Sequence, residues 1–276
     1  AIRALGHAVT EADITPDDLI ALDVPADVVF PVLHGRFGVD GELQKILEAR
    51  GLAFVGSGSE ASRIGIDKDA TKRKWHAAGL PTAPWWVVSL GAGPEVDQLE
   101  PPLVLKPLAE GSSIGVTLCD TVESLKSVLP RAVSNFGRVM LERRLEGPEV
   151  TVGILGHDPL PVIQVRPAAG WYDYAAKYER DDTDYLLNPD LDETTCQNVQ
   201  QLALKAFDVL GCRDLARIDL IIDRHTGPQL LEINTLPGFT DHSLVPKAAA
   251  HVGIPFPRLV EMLLEMAWQR RGRQQR

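Results

Sequence analysis

Apolar residues recur every second position in some stretches of the chain and every third or fourth in others, and the two rhythms divide it. Ala26–Leu33 and Leu52–Val55 have the short apolar runs of strands. Gly41–Arg50 between them is amphipathic and stops at Gly51. Strand, helix, strand is α/β grammar, so residues 1–58 are expected to form an N-terminal α/β unit. Gly56-Ser57-Gly58-Ser59 then marks a boundary. A basic helix over Lys68–Ala78, strands at Trp85–Val88, Leu103–Lys106 and Arg138–Glu142, and a helix near Val122–Leu129 predict a central unit over 59–141. The remainder, 142–276, carries a strand at Val150–Leu155 and a helix over Gln197–Leu210. Two alternating strands and a last helix over Leu259–Trp268 follow. The expected fold class is α/β and α+β.

The alternating strands, residues 216–223 and 229–234, say most about function. Period two puts Arg217 and Asp219 on one face of the first, and Glu232 and Asn234 on one face of the second. Folding the pair about His225-Thr226-Gly227-Pro228 sets Asp219 opposite Glu232 and Arg217 opposite Asn234. Like charges directly opposed are destabilising, so two carboxylates and an amide oxygen on one patch call for a cation. An all-oxygen donor set suits Mg²⁺. The alternative is an ordinary solvated sheet face.

Composition narrows the class. A net charge of −10 argues against general nucleic-acid binding, and no apolar run approaches a membrane span. Cys119, Cys196 and Cys212 are odd in number and widely spaced, which fits free thiols in a reducing compartment such as the cytoplasm.

Further segments have a chemical and an ordinary reading each. Lys106 ends a strand and precedes Glu110-Gly111-Ser112-Ser113-Ile114-Gly115, a phosphate cradle or a tight turn; it is not a P-loop, because the lysine comes before the glycines. Lys68 is a second phosphate-facing cation or a solvated lysine. Leu141–Leu145, with Gly147-Pro148-Glu149, is a hinge whose backbone could meet an adenine edge and whose Glu149 could meet a ribose, or a plain linker. Tyr172–Leu187, aromatic, charged and aperiodic, suits a lid that excludes water or a surface loop. Leu236–Leu244 presents hydroxyls and backbone beside the carboxylate patch. His34-Gly35-Arg36 follows an apolar strand, where ligand loops of α/β folds lie.

In order and over nearly the whole chain, these motifs resemble the D-alanine–D-alanine ligases of the ATP-grasp superfamily. The resemblance rests on residues 33–44, Gly56-Ser57-Gly58, Asp67-Lys68, Lys106-Pro107 with residues 110–115, Tyr172-Asp173-Tyr174, Ala176-Lys177-Tyr178, Arg217-Ile218-Asp219 and residues 232–244. It implies an ATP-grasp fold behind an N-terminal α/β domain, with ATP between the central and C-terminal units. Lys68 and Lys106 would meet phosphates under a loop carrying Ser112 and Ser113. Adenine would sit at the hinge of Glu142, Arg143 and Leu145, with Glu149 on ribose. Asp219, Glu232 and Asn234 would hold two Mg²⁺, or Mn²⁺ in their place. Arg217 would stabilise the transferring phosphoryl group, Lys177 and Tyr178 would act from the lid, and His34, Gly238, Ser243 and Leu244 would face substrate.

The activity so implied joins two D-alanines through a D-alanyl phosphate for peptidoglycan, in a cytoplasmic homodimer. The family's opening strand, Gly-rich loop and Glu have no counterpart from Ala1 onward, so the N-terminal domain is expected to be truncated. A sister ligase making D-alanyl-D-lactate is the near alternative, and Tyr178 after Lys177 argues against it. A non-catalytic nucleotide-binding relative is the more distant one.

Overall fold

The computed structural model describes residues 1–33, 35–168 and 183–274. Two antiparallel sheets organise it. The first has the order β1-β4-β2-β3, formed by β1 (Trp85–Ser89), β2 (Leu103–Pro107), β3 (Thr117–Cys119) and β4 (Arg138–Arg143). Its inner face packs on α5 (Val122–Phe136), where Leu103, Leu105, Leu125, Val139 and Leu141 are fully or almost fully buried. The N-terminal capping box of that helix, Thr121 with Ser124, satisfies backbone donors that the first turn leaves open.

The second sheet runs β10-β9-β5-β7-β8, formed by β5 (Glu149–Leu155), β7 (Ile163–Pro167), β8 (Thr183–Leu186), β9 (Leu215–Asp223) and β10 (Gly227–Asn234); β6 (Asp158–Pro159) pairs with β5. One face is covered by the long helix α6 (Glu193–Val209), whose Val199, Ala203, Ala206 and Phe207 are inaccessible to solvent. The other packs against α7 (Leu244–His251) and α8 (Phe256–Gln274), burying Val245, Leu259 and Leu263.

The N-terminal part is thinner than strand–helix–strand grammar predicts. Helix α2 (Glu42–Ala49) forms, preceded by the single turn α1 (Arg36–Val39), but the flanking strands reduce to one parallel bridge, Val29 to Phe54. The joint predicted at residues 56–59 opens directly into α3 (Ser59–Ile66), which is followed by α4 (Lys68–Ala77). Their Ala61, Ile64 and Trp75 enter the core of the second sheet, and Trp75 Nε1 donates to the Ala206 carbonyl at 3.1 Å. The end of the segment expected to be a lid is also a strand: Tyr185 pairs with Val165.

Candidate active site

The β9–β10 hairpin places Asp219 opposite Glu232 and Arg217 opposite Asn234. It does so through a bulge between Leu230 and Glu232 that inserts Leu231 as an extra residue. In an unbroken ladder continued from Gly227 and Asp223, Glu232 would instead meet Ile218. Both Leu231 and Glu232 face a cavity of about 650 Å³ between the two sheets.

The opposed carboxylates are balanced by cations. Arg217 donates to both oxygens of Asp219 at 2.9 and 2.8 Å, and the Thr151 hydroxyl donates to one of them at 2.6 Å. Lys68 Nζ lies 3.5 Å from Glu232 and donates to the Glu110 carbonyl at 2.7 Å. The facing charges therefore have a protein answer, which the sequence reading gave only to a metal. Asn234 Oδ1 accepts from the Leu236 amide at 3.1 Å.

Across the cavity, β2 carries Lys106 and β4 carries Glu142. Glu142 is 1% exposed. One of its oxygens takes Lys106; the other lies 2.6 Å from Nζ of Lys72, off the line of a good hydrogen bond. Burial alone would raise the Glu142 carboxyl, but Lys106 and Lys72 outweigh it and hold the group below the usual carboxylate range. Burial pulls Lys72 down, whereas Glu142 keeps Lys106 raised despite its own burial. Sequence reasoning passed over Lys72. The available signal was its place one helical turn after Lys68 on α4.

The loop of Ser112 and Ser113 is tied to Lys68 through the Glu110 carbonyl, and both serines have positive φ (55° and 59°). Such consecutive left-handed non-glycine residues are strained and are found where function needs them. Ser113 lines the cavity.

The hinge after β4 is pinned to the hairpin tip. Asp223 accepts from the amides of Glu146, His225 and Thr226 and from the Thr226 hydroxyl, and those bonds, Glu146 first, hold its carboxyl down at about 2. The Arg224 amide donates to the Glu146 carbonyl, and a side chain at Gly147 would collide with the Ile222 carbonyl at 1.9 Å. Arg143 and Arg144 spend their amides on Pro84 and Pro102, while the Leu145 backbone makes no hydrogen bond among the described residues. Leu145 and Glu149 line the cavity beside Arg143.

A family model described as the D-ala D-ala ligase C-terminus matches residues 74–265, and one described as the D-ala D-ala ligase N-terminus matches residues 6–57. The chain belongs to the D-alanine–D-alanine ligase family. It is 43% identical over 269 residues to the D-alanine–D-alanine ligase of Alcanivorax borkumensis, covering 97% of this chain and 85% of that one. A ligase of this name from Actinobacillus pleuropneumoniae is 40% identical over 272 residues, with 97% and 89% covered. The crystal structure of the Bacillus anthracis D-alanine–D-alanine ligase superposes with a TM-score of 0.84 at 32% identity, covering 94% of this chain and 86% of that one. The same bacillary ligase complexed with ATP gives 0.81 at 31% identity, with 94% and 84% covered. The fold is accordingly ATP-grasp.

Within this ligase fold, Lys68, Lys106, Ser113, Glu142, Arg143, Leu145, Glu149, Asp219 and Glu232 converge on the one cavity. Ser112 adjoins it. Ser243 and Gly238 lie apart from its lining: Ser243 Oγ accepts from the Thr240 amide, and Leu244 opens α7 and packs into the core beneath. His34, Lys177 and Tyr178 fall outside the described residues.

The fit of a hard divalent cation follows from the donor chemistry. Asp219 and Glu232 present carboxylate oxygens to the same cavity from facing register positions, with the Asn234 amide two residues along. Among the described residues no group of three His, Cys, Asp or Glu side chains competes as a metal centre.

Proposed function

We propose that this chain joins two molecules of D-alanine into D-alanyl-D-alanine at the expense of ATP, supplying the dipeptide for peptidoglycan. The observation that carries the reading is the shared cavity. Lysines from α4 and β2, the hinge backbone and the two facing carboxylates line it together, in a member of this ligase family.

Each side chain has a task in that chemistry. Lys68 and Lys106 bind and neutralise the triphosphate, and the serine loop closes over it with backbone and hydroxyl donors. The Leu145 peptide, which makes no hydrogen bond among the described residues, meets the adenine edge, and Glu149 accepts from ribose hydroxyls. Asp219, Glu232 and Asn234 would hold Mg²⁺, with Mn²⁺ as a substitute; bound there, the ions supply charge neutralisation to the phosphoryl group. Arg217 leaves Asp219 to stabilise the same developing charge. A carboxylate is a poor acyl donor, so it is first converted to an acyl phosphate, which the second amine attacks while phosphate departs. Water has to be excluded meanwhile, and we assign that to the segment carrying Lys177 and Tyr178. His34, Gly238, Ser243 and Leu244 are proposed on the amino-acid side.

The free thiols of Cys119, Cys196 and Cys212 support a reducing compartment such as the cytoplasm. No described helix is long and apolar enough to cross a membrane. A homodimer is the proposed assembly, to be read by light scattering. The deciding assay is phosphate release from ATP and Mg²⁺ with D-alanine alone, compared with D-alanine plus D-lactate. Release with D-alanine and a dipeptide product is expected; preferential ester formation at neutral pH would overturn the assignment.

A further inference from the structure

Lys72 has no place in the chemistry just described. It is inaccessible to solvent, is not among the residues lining the cavity, and touches Glu142 at 2.6 Å, the Thr82 hydroxyl and the Ala83 carbonyl at 3.2 Å. Its ammonium also lies 5.3 Å from the centre of the Trp85 ring. A second buried lysine is an expensive choice if the only task is to hold Glu142, because Lys106 already neutralises that carboxylate.

The arrangement is explained by what happens when Lys106 is needed elsewhere. Lys106 alone of the two lysines lines the cavity. An anion arriving there competes with Glu142 for its charge. Were Lys106 the sole partner, turning towards phosphate would leave a carboxylate 1% exposed without a counter-ion, and stranding a buried charge in this way is strongly unfavourable.

We propose that Lys72 is a positioning residue for nucleotide binding: pairing with Glu142 from the interior, it releases Lys106 to the phosphates. The two lysines and one carboxylate form a unit of net charge +1, and the surplus is directed into the cavity. This inference rests on the reading of the cavity as a nucleotide site.

The test uses the whole chain and ADP as the probe, with binding measured by calorimetry and stability by melting. Wild type should bind ADP; failure to do so would refute the nucleotide reading itself. In Lys72→Met the Lys106–Glu142 pair remains neutral, so the ligand-free protein should melt close to wild type. Its ADP affinity should fall by about a hundredfold, the scale of breaking a buried pair from one side. KM for ATP should rise with little change in kcat. Against Glu142→Gln alone, Lys72→Met combined with Glu142→Gln should change ADP affinity by no more than about threefold, because the competing carboxylate is already gone. A merely structural lysine would give the opposite: ADP affinity that follows melting temperature, and the same loss in both backgrounds. If Lys72→Met fails to fold, the comparison of the double variant with Glu142→Gln decides alone: equal ADP affinity supports the inference, and a tenfold or greater further loss overturns it.

Discussion

Glu232 shows how far a residue-scale argument carries. Alternation assigns it to one of two faces, but the pairing with Asp219 also needs the bulge at Leu231, which alternation does not reveal. Nor does it reveal that Lys68 reaches the patch from a helix start 164 residues earlier in the numbering (232 minus 68) and lies 3.5 Å from Glu232. The same blindness hid Lys72, whose partner Glu142 is brought to it only by tertiary packing. We expect Glu232→Gln to lower turnover by orders of magnitude at saturating Mg²⁺ and ATP, since a full charge is lost from the proposed metal set. Near-normal turnover would show the patch to be only a sheet face. Without metal, relief of like-charge repulsion does not make the variant more stable, because Lys68 and Arg217 already offset the two carboxylates. Lys68 is 8% exposed and loses its carboxylate, so urea unfolding should show a loss of about 1 kcal/mol.

At the scale of elements, strong periodicity made β1, β2 and β4 of the first sheet, β5, β9 and β10 of the second and the long helices legible. Weak or interrupted periodicity hid β3, β7 and β8. Helix α7 escaped because Pro246 interrupts its apolar pattern, although a proline in the first turn displaces no helical hydrogen bond. Strand β8 escaped inside a segment too charged and aromatic to alternate cleanly. The hinge was legible as a Gly-Pro joint, but its anchor, Asp223, looked like the polar end of a strand. Asp223→Ala should destabilise the protein by about 2 kcal/mol, the scale of several hydrogen bonds to one charged acceptor. It should also weaken nucleotide binding through the loosened hinge. The sign of the pH dependence follows from a folded-state carboxyl at about 2 against an ordinary 3.8. Its stabilisation is fully present above about pH 5 and is lost as pH falls through the folded value, so the two proteins should converge in stability near about pH 2. A gap that stays constant across that range would assign the effect to something other than the carboxylate.

For the whole molecule, a site between a central and a C-terminal unit was expected from the family resemblance, not from the order of elements alone. Which helices belong to which sheet was not legible: α3 and α4 precede the first sheet in sequence yet complete the core of the second. The junction of the N-terminal part is built from still more distant pieces. Asp214, 4% exposed, accepts from the Gly56 amide at 2.8 Å. It also takes the guanidinium of Arg270 on α8, which in turn donates to the Phe54 carbonyl at 2.7 Å. Arg270→Ala should lower stability by about 2 kcal/mol, less than a fully buried pair because the arginine is partly exposed. ADP affinity should not change, since the junction lies outside the nucleotide cavity. A parallel loss of ADP affinity would mean that the junction shapes the cleft.

That clasp also has a consequence in time. A ribosome delivers Phe54 and Gly56 long before Asp214 and Asp214 long before Arg270, so the clasp between them is complete only when all three are present. The N-terminal part therefore has to wait, incompletely secured, until Arg270 has been made. A nascent chain released a few residues short of Arg270 would carry every residue of the nucleotide cavity and still leave its first part unfastened.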